Sequence, residues 1–266
     1  MDFWLNIITL ALSLIVLVVL AVIVNYVAIM RKSKEDIKVQ KDELVSLAAH
    51  QLRGPLSVIQ GYISLILDGD YGRVTKKMQE PLGRIFQSGT ELGFLINDYL
   101  DVANIEQGNT QLIKEEFDLI QLVNDVNREF TLISKEKGVN MLVDFGKNKT
   151  IKMTADRNKT RQILTNIIDN AFKYTKTGEI KINCKVKEGA ITIAVKDNGI
   201  GIRPEDLQQI FTKFERSKEA INVNVAGSGL GLFVAKSLAE LQGGRVWAES
   251  AGANKGSIFY ISLPVK

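Results

Sequence analysis

The apolar residues of this chain change their period along its length, and each change marks a boundary. From Phe3 to Met30 they run almost without interruption and without a formal charge, broken only by Asn6, Thr9, Ser13 and Asn25. A helix of that length, at about 1.5 Å per residue, measures roughly 40 Å and can cross a hydrocarbon core of about 30 Å with tilt. Further on, taking about 100° per residue, Val45, Ala48, Leu52, Leu56, Ile59, Ile63 and Ile66 share one stripe. This helix is predicted to end in the turn-rich stretch Asp68–Gly72. A second helix is predicted over Lys76–Glu106, where Leu82, Ile85, Gly89, Leu92, Ile96, Tyr99 and Ala103 alternate steps of three and four. A short connection makes the two helices antiparallel neighbours. One hairpin cannot bury both its seams but two can, which predicts a homodimer built on a four-helix bundle.

Gln107-Gly108-Asn109 closes this helical part, and beyond it the period shifts again. A helix is predicted through Phe117–Glu136, then a strand Val139–Phe145 and a helix Asn158–Tyr174. Strands follow at Glu179–Lys187 and Ala190–Asp197. A last helix, Leu230–Gln242, leads to the strands Arg245–Ser250 and Ser257–Leu263. Strands grouped as hairpins with helices between them predict a two-layer α/β sandwich covering one mixed sheet.

Charge gives the first segment an orientation. The start Met1-Asp2-Phe3 lacks the basic residues of a cleavable signal peptide, and Tyr26-Val-Ala-Ile-Met30 is not a small-residue cleavage site, so a retained anchor is expected. Arg31, Lys32 and Lys34 follow the span, and the positive-inside rule then puts the N-terminus outside and everything after Met30 in the cytoplasm. The expected location is a single pass in a bacterial-type inner (cytoplasmic) membrane, with no extracellular sensing domain. The expected divisions are an anchor over 1–30, a juxtamembrane helical linker over 31–44, a hairpin domain over 45–110 and an α/β domain over 111–266. No glycine or proline precedes Gly54, so the helix leaving the membrane meets no breaker before that point. Met30, Ile37 and Leu44 are spaced by sevens, one residue out of step with Val45, Leu52, Ile59 and Ile66. That is either a stutter in a paired coil or chance. The net charge of +4 is modest and its basic residues are interleaved with acids, so no nucleic-acid partner is expected. Cys184, the only cysteine, excludes an internal disulfide and reads as a buried, inert thiol.

His50 is the only histidine, and it lies on the helix face opposite the apolar stripe. An exposed imidazole, with an ordinary pKa of about 6.5, is a competent neutral nucleophile near pH 7. Alone it is an ordinary surface histidine. Four segments downstream change that. Asn166, Asn170 and Lys173, in Asn166-Ile-Ile-Asp-Asn170-Ala-Phe-Lys173-Tyr174, share one helix face. Amide oxygens there suit Mg²⁺ that already carries phosphates; an exposed polar face is the plain alternative. Asp197-Asn-Gly199-Ile-Gly201-Ile202 ends a strand with a carboxylate able to accept from an exocyclic amine, beside glycines that admit a flat ring, although Asp-Asn-Gly is also ordinary turn chemistry. Phe211-Thr-Lys-Phe214-Glu-Arg216 precedes a long polar loop, Ser217–Ala226. Gly227-Ser228-Gly229-Leu230-Gly231 opens the last helix, where backbone amides can bind phosphate.

Together with His50 these segments resemble a sensor histidine kinase of two-component systems, from about Val45 to the end. The hairpin resembles the HisKA-type dimerisation and phosphoacceptor domain. The rest resembles the HATPase catalytic domain, the Bergerat-type ATP-binding fold shared with gyrase. The resemblance implies that His50 is the phosphoacceptor, with Gln51 and Arg53 as its catalytic neighbours, and that ATP and Mg²⁺ are required. It implies that Asn170 holds Mg²⁺ supported by Asn166, that Lys173 contacts phosphate, that Tyr174 packs by the nucleotide and that Asp197 reads the adenine amine. Gly199, Gly201 and Ile202 would line the ring, Phe211, Phe214 and Arg216 would anchor the lid, and Gly227, Ser228, Gly229, Leu230 and Gly231 would wrap the phosphates. A separate response regulator would receive the phosphoryl group.

Two departures stand out, at Gln51 and Gly54. The family usually has an acidic residue after the histidine, which orients it and takes its proton; Gln51 is a poor base. The family usually has Thr or Asn four residues after the histidine to position water; Gly54 has no side chain, so weak phosphatase activity is expected. Pro55 removes a backbone hydrogen bond in mid-helix, and the resemblance implies a tolerated bend. Two other readings compete: a gyrase-type ATPase, against which stands Asn166 where those relatives carry a water-activating Glu, and a catalytically weak membrane scaffold.

Overall fold

The computed structural model describes residues 51–187, 189–215 and 227–265. The Phe3–Met30 run, the 31–44 linker, His50 and Arg216 lie outside the described residues. Among those described, no helix is long and apolar enough to cross a membrane.

Helix α1, residues 51–68, runs without a break through Pro55. Gly69 and Gly72, with φ of 92° and 104°, turn the chain back into α2, Lys76–Glu106. These left-handed conformations are open to glycine at no steric cost. The two helices touch closely because α2 presents glycines: a Cβ on Gly89 would come within 3.3 Å of the Gln60 side chain, and one on Gly93 within 3.6 Å of Leu56. Gln60 also donates to Thr90 Oγ1 at 3.0 Å, and Arg53 to Asn97 Oδ1 at 2.5 Å. Of the predicted seams, Ile63, Ile96 and Ala103 are buried, whereas Leu52, Ile59, Ile85 and Leu92 remain exposed.

The α/β part places β1 (Lys114–Asp118), α3 (Leu119–Glu129) and α4 (Thr131–Lys137) before β2 (Val139–Asp144). Then come β3 (Lys152–Asp156), α5 (Arg157–Tyr174), β4 (Gly178–Lys187), β5 (Ala190–Asp197), a short 3₁₀ turn at Gln209–Phe211, α6 (Gly231–Leu241), β6 (Arg245–Glu249) and β7 (Ser257–Pro264). Five strands form one mixed sheet in the order β2-β4-β5-β7-β6, and β1 pairs with β3 in a separate ribbon. Only β2 and β4 are parallel, with Val139 opposite Gly178. A parallel pair needs a crossover, and α5 lies on that connection. The helices cover the face built by Ile180, Ile182, Ile191, Ile193, Val195, Phe259, Ile261 and Leu263, all buried.

The helix predicted over Phe117–Glu136 is corrected. Its first residues belong to β1, and it is split at Phe130. Asp118 ends the strand and caps α3, its Oδ1 accepting from the backbone N–H of Ile120 and of Ile151, each at 3.0 Å. Phe130, with ψ near 0°, marks the joint between the two helices and stacks on Phe172, ring centroids 5.4 Å apart. Asp156 caps α5 through Lys159 N at 2.9 Å, and its own N–H donates to buried Gln242 at 2.9 Å. This pins the start of α5 against the end of α6. Cys184 is buried, and burial pushes its thiol up to about 12, which keeps it protonated and inert.

Candidate active site

A cavity of about 600 Å³ opens where the C-terminal end of β5, the C-terminal half of α5 and the start of α6 meet, with α2 as its outer wall. That volume suits a nucleotide-sized ligand. Of the predicted residues it is lined by Asn166, Asn170, Lys173, Tyr174, Asp197, Gly201, Ile202, Gly227, Ser228, Gly229 and Gly231. Helical spacing puts the α5 residues on one face, and the other face, with Ile163, Leu164, Ile167 and Ile168, is fully buried.

Asp197 is the best-built group in the cavity. It is 4% exposed, and burial pushes its carboxyl above the usual carboxylate range. Three hydrogen bonds oppose that shift: Ser257 Oγ donates to Oδ2 at 2.5 Å, and the backbone N–H groups of Gly199 and Ser257 donate to Oδ1 at 2.8 and 3.2 Å. Glycine is obligatory beside it. A Cβ on Gly199 would lie 2.6 Å from the carbonyl oxygen of Tyr174, and one on Gly201, at φ 67°, would lie 2.1 Å from that of Gly252. Ser257 sits sixty residues from Asp197 in sequence, and no motif in the chain singled it out.

Asn166 is engaged in a bond between helices. Its Nδ2 donates to the carbonyl oxygen of Gly231 at 3.0 Å, tying α5 to the first residue of α6. Lys173 is paired with Asp169, Nζ to Oδ2 2.6 Å. Phe211 is buried edge-on against Phe259 at 6.4 Å, and Leu230 buries its side chain in the core. Phe214, with φ of 62° and an exposed ring, approaches Tyr99 of α2 at 6.4 Å between centroids. Phe211, Phe214, Leu230 and Gly199 stay outside the cavity lining.

The lining also contains groups absent from the sequence reading: Glu91 and Asp98 from α2, Glu129, Asp169, Glu215 and Ser257. Among the described residues, its five rim carboxylates, besides Asp197, face the single cation Lys173. Bare polyphosphate would be repelled here, whereas a phosphate-bound divalent cation would offset that charge. No group of three His, Cys, Asp or Glu capable of holding a metal occurs among the described residues. Asn170, a single hard amide oxygen donor, fits a Mg²⁺ ion that keeps water and phosphate as its other ligands.

A helical hairpin joined to a mixed-sheet sandwich with this cavity defines an ATP-binding catalytic module coupled to a helical domain. Residues 40–108 match the His Kinase A (phospho-acceptor) domain, and residues 155–266 match the histidine kinase-, DNA gyrase B-, and HSP90-like ATPase family. The chain thus carries, in this order, the phospho-acceptor domain and the ATPase domain of a histidine kinase. It is similar to the sensor protein SrrB of Staphylococcus aureus, with 34% identity over 227 residues, covering 84% of this chain and 38% of that protein. The chain therefore spans well under half the length of that relative. The structure is similar to full-length ShkA in complex with AMPPNP, with a TM-score of 0.69 and 25% identity over 84% of this chain and 45% of that one. It also shares the fold of the Acinetobacter baumannii histidine kinase AdeS, with a TM-score of 0.57 and 24% identity over 82% of this chain and 98% of that one.

Proposed function

We propose that this chain is a membrane-anchored kinase that transfers the γ-phosphoryl group of Mg-ATP to His50 and passes it to an aspartate of a separate response regulator. One observation supports this above the others: segments far apart in sequence, on α5, at the end of β5 and in the glycine turn before α6, line a single nucleotide-sized cavity. In this reading Asp197, held by Ser257, accepts from the adenine amine, and Asn170 and Lys173 serve the phosphates. Bound Mg²⁺ supplies neutralisation of the charge on those phosphates. A ring nitrogen of His50 attacks the γ-phosphorus, the bond to the β–γ bridging oxygen breaks, and ADP leaves with that electron pair. Gln51, a poor base, leaves the imidazole proton to solvent, which slows the step without abolishing it. The Phe3–Met30 run serves as the anchor, and the exposed apolar seam of the hairpin meets a second copy.

Full-length protein in detergent is incubated with γ-labelled ATP and Mg²⁺. The expected result is base-stable, acid-labile label on the wild type and none on His50→Gln. Free phosphate without protein label would identify an ATPase instead, and neither product would leave a scaffold. Gly54 leads to a second expectation. A Cβ there meets nothing within 4 Å, so Gly54→Thr fits the hairpin. The variant should release phosphate from phosphorylated regulator in the presence of ADP faster than the wild type, and rapid release by the wild type would remove the idea of a weak phosphatase.

A further inference from the structure

Helix α2 lays three carboxylates against the catalytic domain. Asp98 Oδ2 accepts from Ser228 Oγ at 2.8 Å; Asp101 accepts from Gln162 and lies 3.9 Å from Lys159 Nζ; Glu106 Oε1 meets Lys213 Nζ at 2.5 Å. Tyr99 adds its ring contact to Phe214. Contacts to α2 therefore sit on both sides of residues 216–226 in the chain, at Lys213 and Phe214 before them and at Ser228 after them.

The Ser228 contact falls within the glycine turn. Its hydroxyl has one proton to donate, and that proton is given to Asp98, while the oxygen accepts the Leu230 N–H at 3.1 Å. An anion at this point also faces the positive end of α6, an eleven-residue helix. These are the features a nucleotide phosphate would use, and two anions cannot share one hydroxyl proton. Burial pushes the Asp98 carboxyl up, while the Ser228 hydrogen bond opposes the shift.

We propose that Asp98 is an intramolecular competitor of the nucleotide phosphates, so that docking of α2 and occupancy of the glycine turn oppose each other. The inference rests on the nucleotide reading given above. Linkage makes the effect mutual: α2 docking weakens nucleotide binding by the same factor by which nucleotide loosens α2. ATP then does more than supply a phosphoryl group; it frees the catalytic domain from the helix that holds it.

The test uses the full chain in detergent with Mg-AMPPNP, measuring affinity by calorimetry and backbone exchange by deuterium uptake. Asp98→Asn and Asp98→Ala should tighten binding by about fivefold or more, the lower end of common coupling strengths. Glu91→Gln, which removes a cavity carboxylate that does not touch Ser228, should tighten it less than either Asp98 variant. In the wild type, nucleotide should raise exchange in α2 around residues 98–106 while lowering it in 227–231. An unchanged affinity in both Asp98 variants, equal tightening in Glu91→Gln, or α2 exchange indifferent to nucleotide each overturns the competition while leaving the nucleotide site standing. Absence of binding in every chain overturns both.

Discussion

A carboxylate that is to hold a purine amine must be dry enough to be selective and still charged enough to accept. Asp197 is dry, and the donors that favour its charged form, Ser257 and Gly199, sit beside it inside the core. In the proposed role Asp197 accepts from the amine as a carboxylate, so binding should be strongest above the folded-state pKa and decline as pH falls through it. Burial sets that pKa above the ordinary carboxylate range, so the decline begins at a higher pH than for an exposed aspartate. The Ser257 hydroxyl works against this shift, and Ser257→Ala should therefore move the decline to still higher pH. Asp197→Asn should cost about 1.5–3 kcal/mol of binding, the range for a hydrogen bond to a charged group, and should flatten the profile. Nucleotide titrations across acidic to neutral pH check both. An unshifted profile in Ser257→Ala would mean that the serine holds the loop and not the charge.

The legibility of these groups follows from how far apart their partners lie. Asp197, Asn170 and the glycine turn stand in local patterns, and a local pattern can be read from one chain. Ser257 acquires its role from a partner sixty residues away, and Asp98 from one 130 residues away, so neither has a local signature. Elements show the same division. Helix α2 spans Lys76–Glu106 as its seam predicts, and β5 spans Ala190–Asp197 as its alternation predicts. Strand β1 has no legible signal, and its last two residues read as the start of a helix, because four of its five residues are charged and only Phe117 is buried, leaving no period to detect. The break at Phe130 is tertiary: the ring stacks on Phe172 of α5. At the hairpin, Leu52 and Ile59 of α1 and Ile85 and Leu92 of α2 stay exposed although they belong to the predicted seams. Water contact at so many apolar positions is the mark of a surface awaiting a partner. Ile59→Arg combined with Leu92→Arg should shift the chain from dimer to monomer in sedimentation velocity, since an unpaired guanidinium in an apolar seam is costly. Sedimentation unchanged by the pair would place the dimer contact elsewhere.

Across the molecule, α2 is the element that faces both ways. Gly89 and Gly93 lie against α1, while Asp98, Asp101 and Glu106 reach the catalytic domain. Any rotation or shift of α1 must therefore be felt by α2, and through it by the glycine turn. The sequence offers a route for such a shift from further upstream: between Arg31 and Arg53 there is neither glycine nor proline to absorb it. A helical rod transmits rotation as well as displacement, about 100° for each residue added. Inserting one, two, three or four residues between Arg31 and Glu43 should accordingly change autophosphorylation with helical phase. The three- and four-residue insertions, close to a full turn, should behave most like the wild type, and the two-residue insertion, about half a turn out, least. Histidine labelling in detergent micelles or vesicles reads this directly. Equal labelling by all four would show that the stretch is a passive tether and that input reaches α1 by another path.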